Sequence, residues 1–327
     1  MKSRLPSLVL LIVLGFVVAA CIGGSGTGSV SSGPATASPE ASVAESTPGT
    51  SDAPSSLPPS SEPTALSSSE PSATASPAAS GKTMLVRAYF VLGGGPGVTG
   101  LIPVLRTVPQ TTAVANAAMT ALLAGPAKAE SANHAITTAI PDGTTVNGVS
   151  IKNGIATVDL STAFGSEGGA ASMRYRLAQV VYTLTQFSNV RSVLFEVDGQ
   201  AVTAFGSEGI ALDGPSKRAD WTTELPAMFV DRPAYNAAIG NPGPVSGNAD
   251  VFEATFRVAV LDGSGKVLVD QQATATCGSG CRGAFQLTVT YTISKAQWGT
   301  LRVYDPSAKD GSPQSVRDYR VWLTPRP

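Results

Sequence analysis

Hydrophobic and polar positions divide this chain into stretches of different character. The first is an apolar run from Leu8 to Ala20, preceded by Lys2 and Arg4 and followed directly by Cys21. It is shorter than the about 20 apolar residues that cross a bilayer comfortably. A basic start, an apolar middle and small residues at the end predict an export signal over residues 1–20. From 21 to 82 the periodicity vanishes. Ser, Thr, Pro, Ala and Gly dominate, no aromatic occurs, and the acids are Glu40, Glu45, Asp52, Glu62 and Glu70. Such a segment buries too little apolar surface to offset its ordering entropy, which predicts a disordered linker. As a flexible coil it holds its ends on the order of 40 Å apart.

Order begins with the alternating run TMLVRAYFVL, which predicts a strand. After a Gly-rich loop, TTAVANAAMTALLAGP predicts a helix capped by Thr111 or Thr112 and stopped at Gly125-Pro126. Its apolar face is Val114, Ala117, Ala118, Ala121 and Leu122. VNGVSIKNGIATVDLS predicts two strands turning at Asn153-Gly154, a hairpin dipeptide. A second helix presents Met173, Leu177, Val180, Val181, Leu184 and Phe187, and SVLFEVDGQAV returns as a strand. The order is β-α-β-β-α-β: an α+β domain over 83–220, with two helices on one face of a mainly antiparallel sheet. After Pro226 only strands follow, separated by Gly, Pro and Asp turns. In VFEATFRVAVLD, the residues Phe252, Ala254, Phe256, Val258 and Val260 share one face. Regular short strands predict an all-β sandwich over 227–327.

Length and charge narrow the function. A chain of 327 residues has room for two domains with cores of their own. With a net charge of −1 and 14% charged residues, it carries no basic field for nucleic acid or an anionic membrane surface. The single histidine, His134, falls in a polar loop after the first helix. Acid-base and nucleophile-activating sites draw on histidine near neutral pH, and metal sites commonly need several ligands. No catalytic, cofactor-binding or metal-binding residue is expected, and the chain is read as a non-enzyme.

Several motifs invite a chemical reading. Phe-Gly-Ser-Glu-Gly occurs at 164–168 and again at 205–209, one residue short of the G-x-S-x-G nucleophile elbow. The elbow needs a histidine and an orienting carboxylate for each serine, and one histidine cannot serve both Ser166 and Ser207. Both copies are read as turns in which Phe164 and Phe205 plug strand ends into the core. Residues 95–100 spell G-x-G-x-x-G, but Pro103 and Pro109 keep the following segment out of helix. The loop is read as a flexible connection without a phosphate site. Asp159 with Glu167, and Glu196 with Asp198, have the form of acid-base pairs or calcium ligands, but Asp159 and Asp198 each end a predicted strand, where a carboxylate faces water or caps a turn. Asp305 and Asp310 lack the acidic density of a calcium loop. Cys277 and Cys281 flank Gly-Ser-Gly between two predicted strands, at a spacing that suits a disulfide across a short hairpin. Free thiols are the next alternative and a redox role the last.

Three resemblances add to this. VVAACIGG resembles a bacterial lipobox with Val18 in place of the usual Leu, which implies a diacylglyceryl group on Cys21 and an extracytoplasmic membrane anchor. Pro103-Val104-Leu105-Arg106, ALLAGP at 121–126, IPDGTTVNGVSIKNGIATVDLS at 140–161 and VRSVLFEVDGQ at 190–200 resemble the GerMN domain of sporulation and germination proteins. NPGPVSGNADVFEATFRVAVLDGSGKVL, RGAF and DPSAKDGS resemble the immunoglobulin-like domain that often follows GerMN. Cys277 and Cys281 stand outside that pattern. The resemblance implies a lipid-anchored envelope module that binds envelope or membrane proteins, copies of itself or a cell-wall component. Its role would lie in spore formation, germination or envelope signalling. The alternatives are a solute- or glycan-binding lipoprotein and, more distantly, a serine hydrolase.

Overall fold

The computed structural model describes residues 81–327 except Glu167, Ser207 and Glu208, and except the side chains of Asn133 and His134. The export signal, Cys21 and almost all of the linker lie outside the described residues.

Two strands open the α+β region, β1 (Thr83–Leu92) and β2 (Gly100–Pro109). Helices α1 (Val114–Leu123) and α2 (Lys128–His134) lead to the short β3 (Ile136–Thr137). Then come β4 (Val146–Lys152), β5 (Ile155–Leu160), α3 (Ala170–Leu184) and β6 (Ser192–Val197). Three two-residue strands close the region: β7 (Gln200–Ala201), β8 (Ala204–Phe205) and β9 (Ile210–Ala211). One sheet has the order β2-β1-β3, a second β4-β5-β6-β7, and β8 pairs with β9. All pairs are antiparallel except β5–β6, which α3 joins as a parallel crossover.

The expected β-α-β-β-α-β order is thus enlarged by β2, α2, β3 and the small closing strands. Residues 100–109, kept out of helix by their prolines, are a strand absent from the expected order: β2 pairs with β1 along its whole length, from Thr83↔Pro109 to Leu92↔Gly100. Pro103 and Pro109 are tolerated because they face Tyr89 and Thr83 at positions whose N–H sites point away from β1, so the ladder loses no donor. Residues 93–99 form the hairpin loop, closed by Val98 and Thr99 N–H groups on the Gly95 carbonyl.

α1 begins after Ala113, with neither Thr111 nor Thr112 as its cap; the Thr111 hydroxyl instead accepts the Ala113 N–H. Its contacts cover two sides. Ala115, Ala118, Met119 and Leu122 are buried, while Val114, Ala117 and Ala121 pack around Val86 and Val108. His134 ends α2 rather than lying in a loop. Asn153 and Gly154 make the β4–β5 turn with φ of 54° and 83°, a backbone that favours this pair.

The predicted apolar face of α3 is buried from Met173 to Leu184, yet Gln179 and Thr183 are fully buried as well. Their role lies on β1, whose edge opposite β2 has a strand neighbour only at Val91 and Leu92. Gln179 donates to the Tyr89 carbonyl, and Tyr89 N–H donates to the Thr183 hydroxyl. Gln186 accepts the Arg87 N–H and donates to the Arg87 carbonyl. Polar side chains of one helix and its C-terminal extension thus stand in for a missing strand, satisfying main-chain groups that would otherwise be buried unpaired.

The β-rich region contains β10 (Met228–Arg232), β11 (Ala238–Ile239), β12 (Gly243–Ala249) and β13 (Thr255–Leu261). It continues with β14 (Val267–Thr274), β15 (Gly283–Val289), β16 (Gln297–Pro306) and β17 (Pro313–Leu323). A sheet of order β10-β12-β15 faces one of order β11-β17-β16-β13-β14. Phe256, Val258 and Val260 point inward as expected, and Phe256 meets Phe285 edge-on at 4.9 Å between ring centroids. Phe252 does not belong with them: it is 73% exposed in the turn Phe252–Ala254, where the positive φ of Glu253 breaks the strand. β14 and β15 lie in different sheets, so the Cys277–Cys281 loop is a crossover between sheets and not the hairpin expected.

The buried side chains of both regions form one continuous core, and Tyr182 on α3 meets Phe229 on β10 edge-on at 5.8 Å. Among the described residues no helix is long and apolar enough to cross a membrane.

Candidate functional site

Buried and half-buried polar side chains cluster along the seam between the two regions. Tyr89 on β1 donates its hydroxyl to Asp231 on β10 and accepts a hydrogen bond from Arg218 at 3.0 Å. Arg87 and Arg218 each stand 3.4 Å from the same Asp231 carboxylate. Burial and the Asp231 charge push the Tyr89 phenol far above its ordinary range. The Arg218 guanidinium lies 4.5 Å from the Tyr182 ring centroid, and burial pushes that phenol up to about 12. Both tyrosines stay protonated at any physiological pH: Tyr89 joins Arg87 in donating to the Asp231 carboxylate, and the Tyr182 hydroxyl donates to the Arg218 carbonyl.

Arg317 on β17 is 1% exposed and reaches across the seam. It donates to the carbonyls of Val98, Gly100 and Leu101, and its Nε donates to Tyr319 at 3.0 Å. Nearby, the Ala227 N–H donates to Gly97, and Tyr235 exchanges main-chain hydrogen bonds with Pro103 and Leu105. Gly100 is required here: a Cβ would stand 2.4 Å from the Pro226 nitrogen. On the opposite side Arg106 holds Glu130 with two bonds of 2.9 and 2.7 Å, and Asn236 donates to the same carboxylate. Burial alone raises the Glu130 pKa, but its bonds from Arg106, Ala127 and Asn236 outweigh this and hold it below the ordinary value. Arg320 donates to Asn236 and lies 3.4 Å from the Trp298 ring centroid, extending the chain of contacts to β16.

Beside this seam runs a groove of about 450 Å³, lined by Leu85, Arg87, Leu105, Phe187, Arg232 and Ile239 among others. On the other face of β1 a second depression, of about 430 Å³, is lined by Met84, Leu85, Val114, Val149, Ile151 and Phe187 among others. Leu85, common to both, is 62% exposed.

The motifs singled out in the sequence fall elsewhere. Phe164 is buried in the turn Thr162–Gly165, and Phe205 in β8; both pack on Phe195. The Ser166 hydroxyl donates to Ala163 at 2.7 Å, while Ser207 lies outside the described residues. Asp159 accepts the Gly199 N–H and Asp198 accepts from Asn147, bonds that tie β5 and β4 to the turn after β6. Asp159 and Glu196 are register partners on β5 and β6. Asp310 accepts from the Ser312 N–H and hydroxyl, which holds its carboxyl low, while burial raises that of Asp305. Among the described residues, no three His, Cys, Asp or Glu side chains are grouped to hold a metal. Cys277 and Cys281 are joined as a disulfide with Cα atoms 5.7 Å apart.

Sequence reasoning does not reach the seam residues Tyr89, Arg218, Asp231 and Arg317, which are distant in the chain and isolated in their local patterns. The α3 polar row carried a signal: Gln179, Thr183 and Gln186 repeat at the helical spacing of one face.

Comparison with known proteins follows the same division. Residues 87–203 match the family of sporulation and spore germination proteins termed Germane. Residues 227–312 match Gmad2, the immunoglobulin-like domain of bacterial spore germination. The first GerMN domain of the sporulation protein GerM from Bacillus subtilis is 24% identical, with a TM-score of 0.35; the alignment covers 42% of this chain and 99% of that one. The tandem GerMN domains of the same protein are 16% identical, with a TM-score of 0.37 over 64% of this chain and 62% of that one. No curated protein matches. This chain therefore carries a Germane (GerMN-like) domain followed, in that order, by the immunoglobulin-like domain of bacterial spore germination.

Proposed function

We propose that this protein is a non-catalytic scaffold of the bacterial envelope, anchored by lipid on Cys21 at the outer face of the cytoplasmic membrane, that serves sporulation, germination or envelope signalling by binding other proteins. The observation that carries this reading is the union of two germination-type domains in one chain. Their shared core supports it: a binding surface that crosses the seam presents both domains in a fixed relation. The export pattern ending at Cys21 supplies the anchor, and residues 21–82 supply reach. A solute or glycan receptor fits less well, because the groove at the seam has Phe187 as its one aromatic, with no ring to stack on a sugar from the opposite wall.

Metabolic labelling with an alkyne fatty acid tests the anchor: the intact protein should take up label and the Cys21→Ala variant should not. Crosslinking in living cells, read by mass spectrometry, should then recover envelope proteins. An unlabelled protein found in the cytosol, or turnover of a substrate traced to a side chain of either domain, would overturn the reading.

A further inference from the structure

The edge of β1 that faces α3 is covered unevenly. β3 pairs with it at Val91 and Leu92, and Gln179, Thr183 and Gln186 satisfy Tyr89 and Arg87. In this register the odd-numbered residues direct their main-chain groups to that edge and the even-numbered ones bond β2. The next odd residues, Leu85 and Thr83, have no main-chain partner on that edge among the described residues. An unpaired edge is a template for another strand.

The side chains around this edge fit the same purpose. Leu85 and Arg87 face the groove of about 450 Å³, and Met84 faces the depression of about 430 Å³ on the opposite side of the sheet. Successive side chains of an added strand alternate between faces, so neighbouring residues would enter the two hollows in turn. The exposed aliphatic groups Leu85 and Ile151 would be covered. Arg232 stands exposed on the rim, with no ion pair among the described residues. Self-pairing of β1 across a two-fold axis would bring two such basic rims onto one face of the joined sheet, which charge disfavours.

We propose that the open edge at 83–85 binds an extended peptide of a partner protein as an added strand, with adjacent apolar residues filling the two hollows and an acidic residue meeting Arg232. This rests on the reading that the chain acts by binding proteins.

The test is a displayed library of random linear peptides, selected on the full chain and on its Leu85→Pro variant. Proline at 85 removes the N–H that faces the open edge and leaves the β1–β2 ladder intact. Thermal melting verifies that the variant folds, and Leu85→Lys, which keeps the N–H but places a charge between the hollows, serves as a second variant. Enriched peptides should carry adjacent apolar residues and an acid. Their affinity should fall about tenfold or more in Leu85→Pro, about what one lost main-chain hydrogen bond in a buried setting gives, and should fall also in Leu85→Lys and Arg232→Glu. The Leu85 amide should become protected from hydrogen exchange on binding. Equal enrichment on the wild type and Leu85→Pro, no enrichment on either, or bound peptides that leave the Leu85 amide unprotected would each overturn the proposal. So would a dimer of the chain that Leu85→Pro dissolves, since the occupant would then be a second copy. A silent library beside normal acylation and crosslinks defeats the edge alone and leaves the scaffold reading standing.

Discussion

Phe164 and Phe205, the first letters of two identical pentapeptides, meet edge to face with ring centroids 5.4 Å apart. The repetition in sequence becomes a contact in space, and Phe195 completes the cluster. The shared text therefore serves packing. Phe205→Ala should destabilise the protein by about 3 to 5 kcal/mol, as other large-to-small core changes do. Ser166→Ala should cost about 1 kcal/mol or less. Urea unfolding of the two variants measures both.

Arg317 answers three carbonyls of the neighbouring domain. Arg317→Met should leave each of them bare at about 1 kcal/mol or more, about 3 kcal/mol in all, and a loss near zero in denaturant titration would refute the role. Arg317→Lys should recover only part of this, because an ammonium cannot reproduce the planar fork.

Gln186 is bonded at both ends to the main chain of Arg87. Gln186→Ala should lower stability by about 2 kcal/mol and speed hydrogen exchange at the Arg87 amide more than at Val86, whose N–H is in the β1–β2 ladder.

Glu130 gives the pH dependence its sign. Its folded pKa lies below the ordinary 4.5, so its contribution is complete above that value and fades as pH falls through the folded pKa. At about pH 7, Glu130→Gln should be less stable than wild type by about 3 kcal/mol, the order expected for breaking a buried pair. The difference should shrink as pH falls below the ordinary 4.5 and through the folded pKa, as seen by chemical denaturation over a series of acidic buffers.

Replacing Cys277 and Cys281 together by serine should cost about 2 kcal/mol, because the closed ring is small. Comparing the melting temperature of this variant with that of the reduced wild type separates the loss of the bond from the change of side chain.

Strands and helices with a regular pattern are legible in the sequence. Asn153-Gly154 predicts its hairpin, and Met173, Leu177, Val180 and Leu184 predict the buried side of α3. β2 is not legible in this way, because its prolines argue against a strand unless the side on which their N–H sites fall is known. Phe252 fits the alternation perfectly and is nevertheless outside, since a local positive φ at Glu253 resets the chain before β13. For Cys277 and Cys281 local spacing says nothing about whether the flanking strands share a sheet. The seam is the least legible part: Arg87, Tyr89, Arg218, Asp231 and Arg317 are polar residues in unrelated contexts, and only tertiary folding brings them together.

Across the seam, the α+β side offers Arg317 carbonyl oxygens of its main chain, which every amino acid possesses. Val98 can thus be exchanged for other residues without touching its acceptor, whereas no other side chain can take over from the arginine. Mutational tolerance should therefore be lopsided: a saturation scan would find position 98 permissive and position 317 closed.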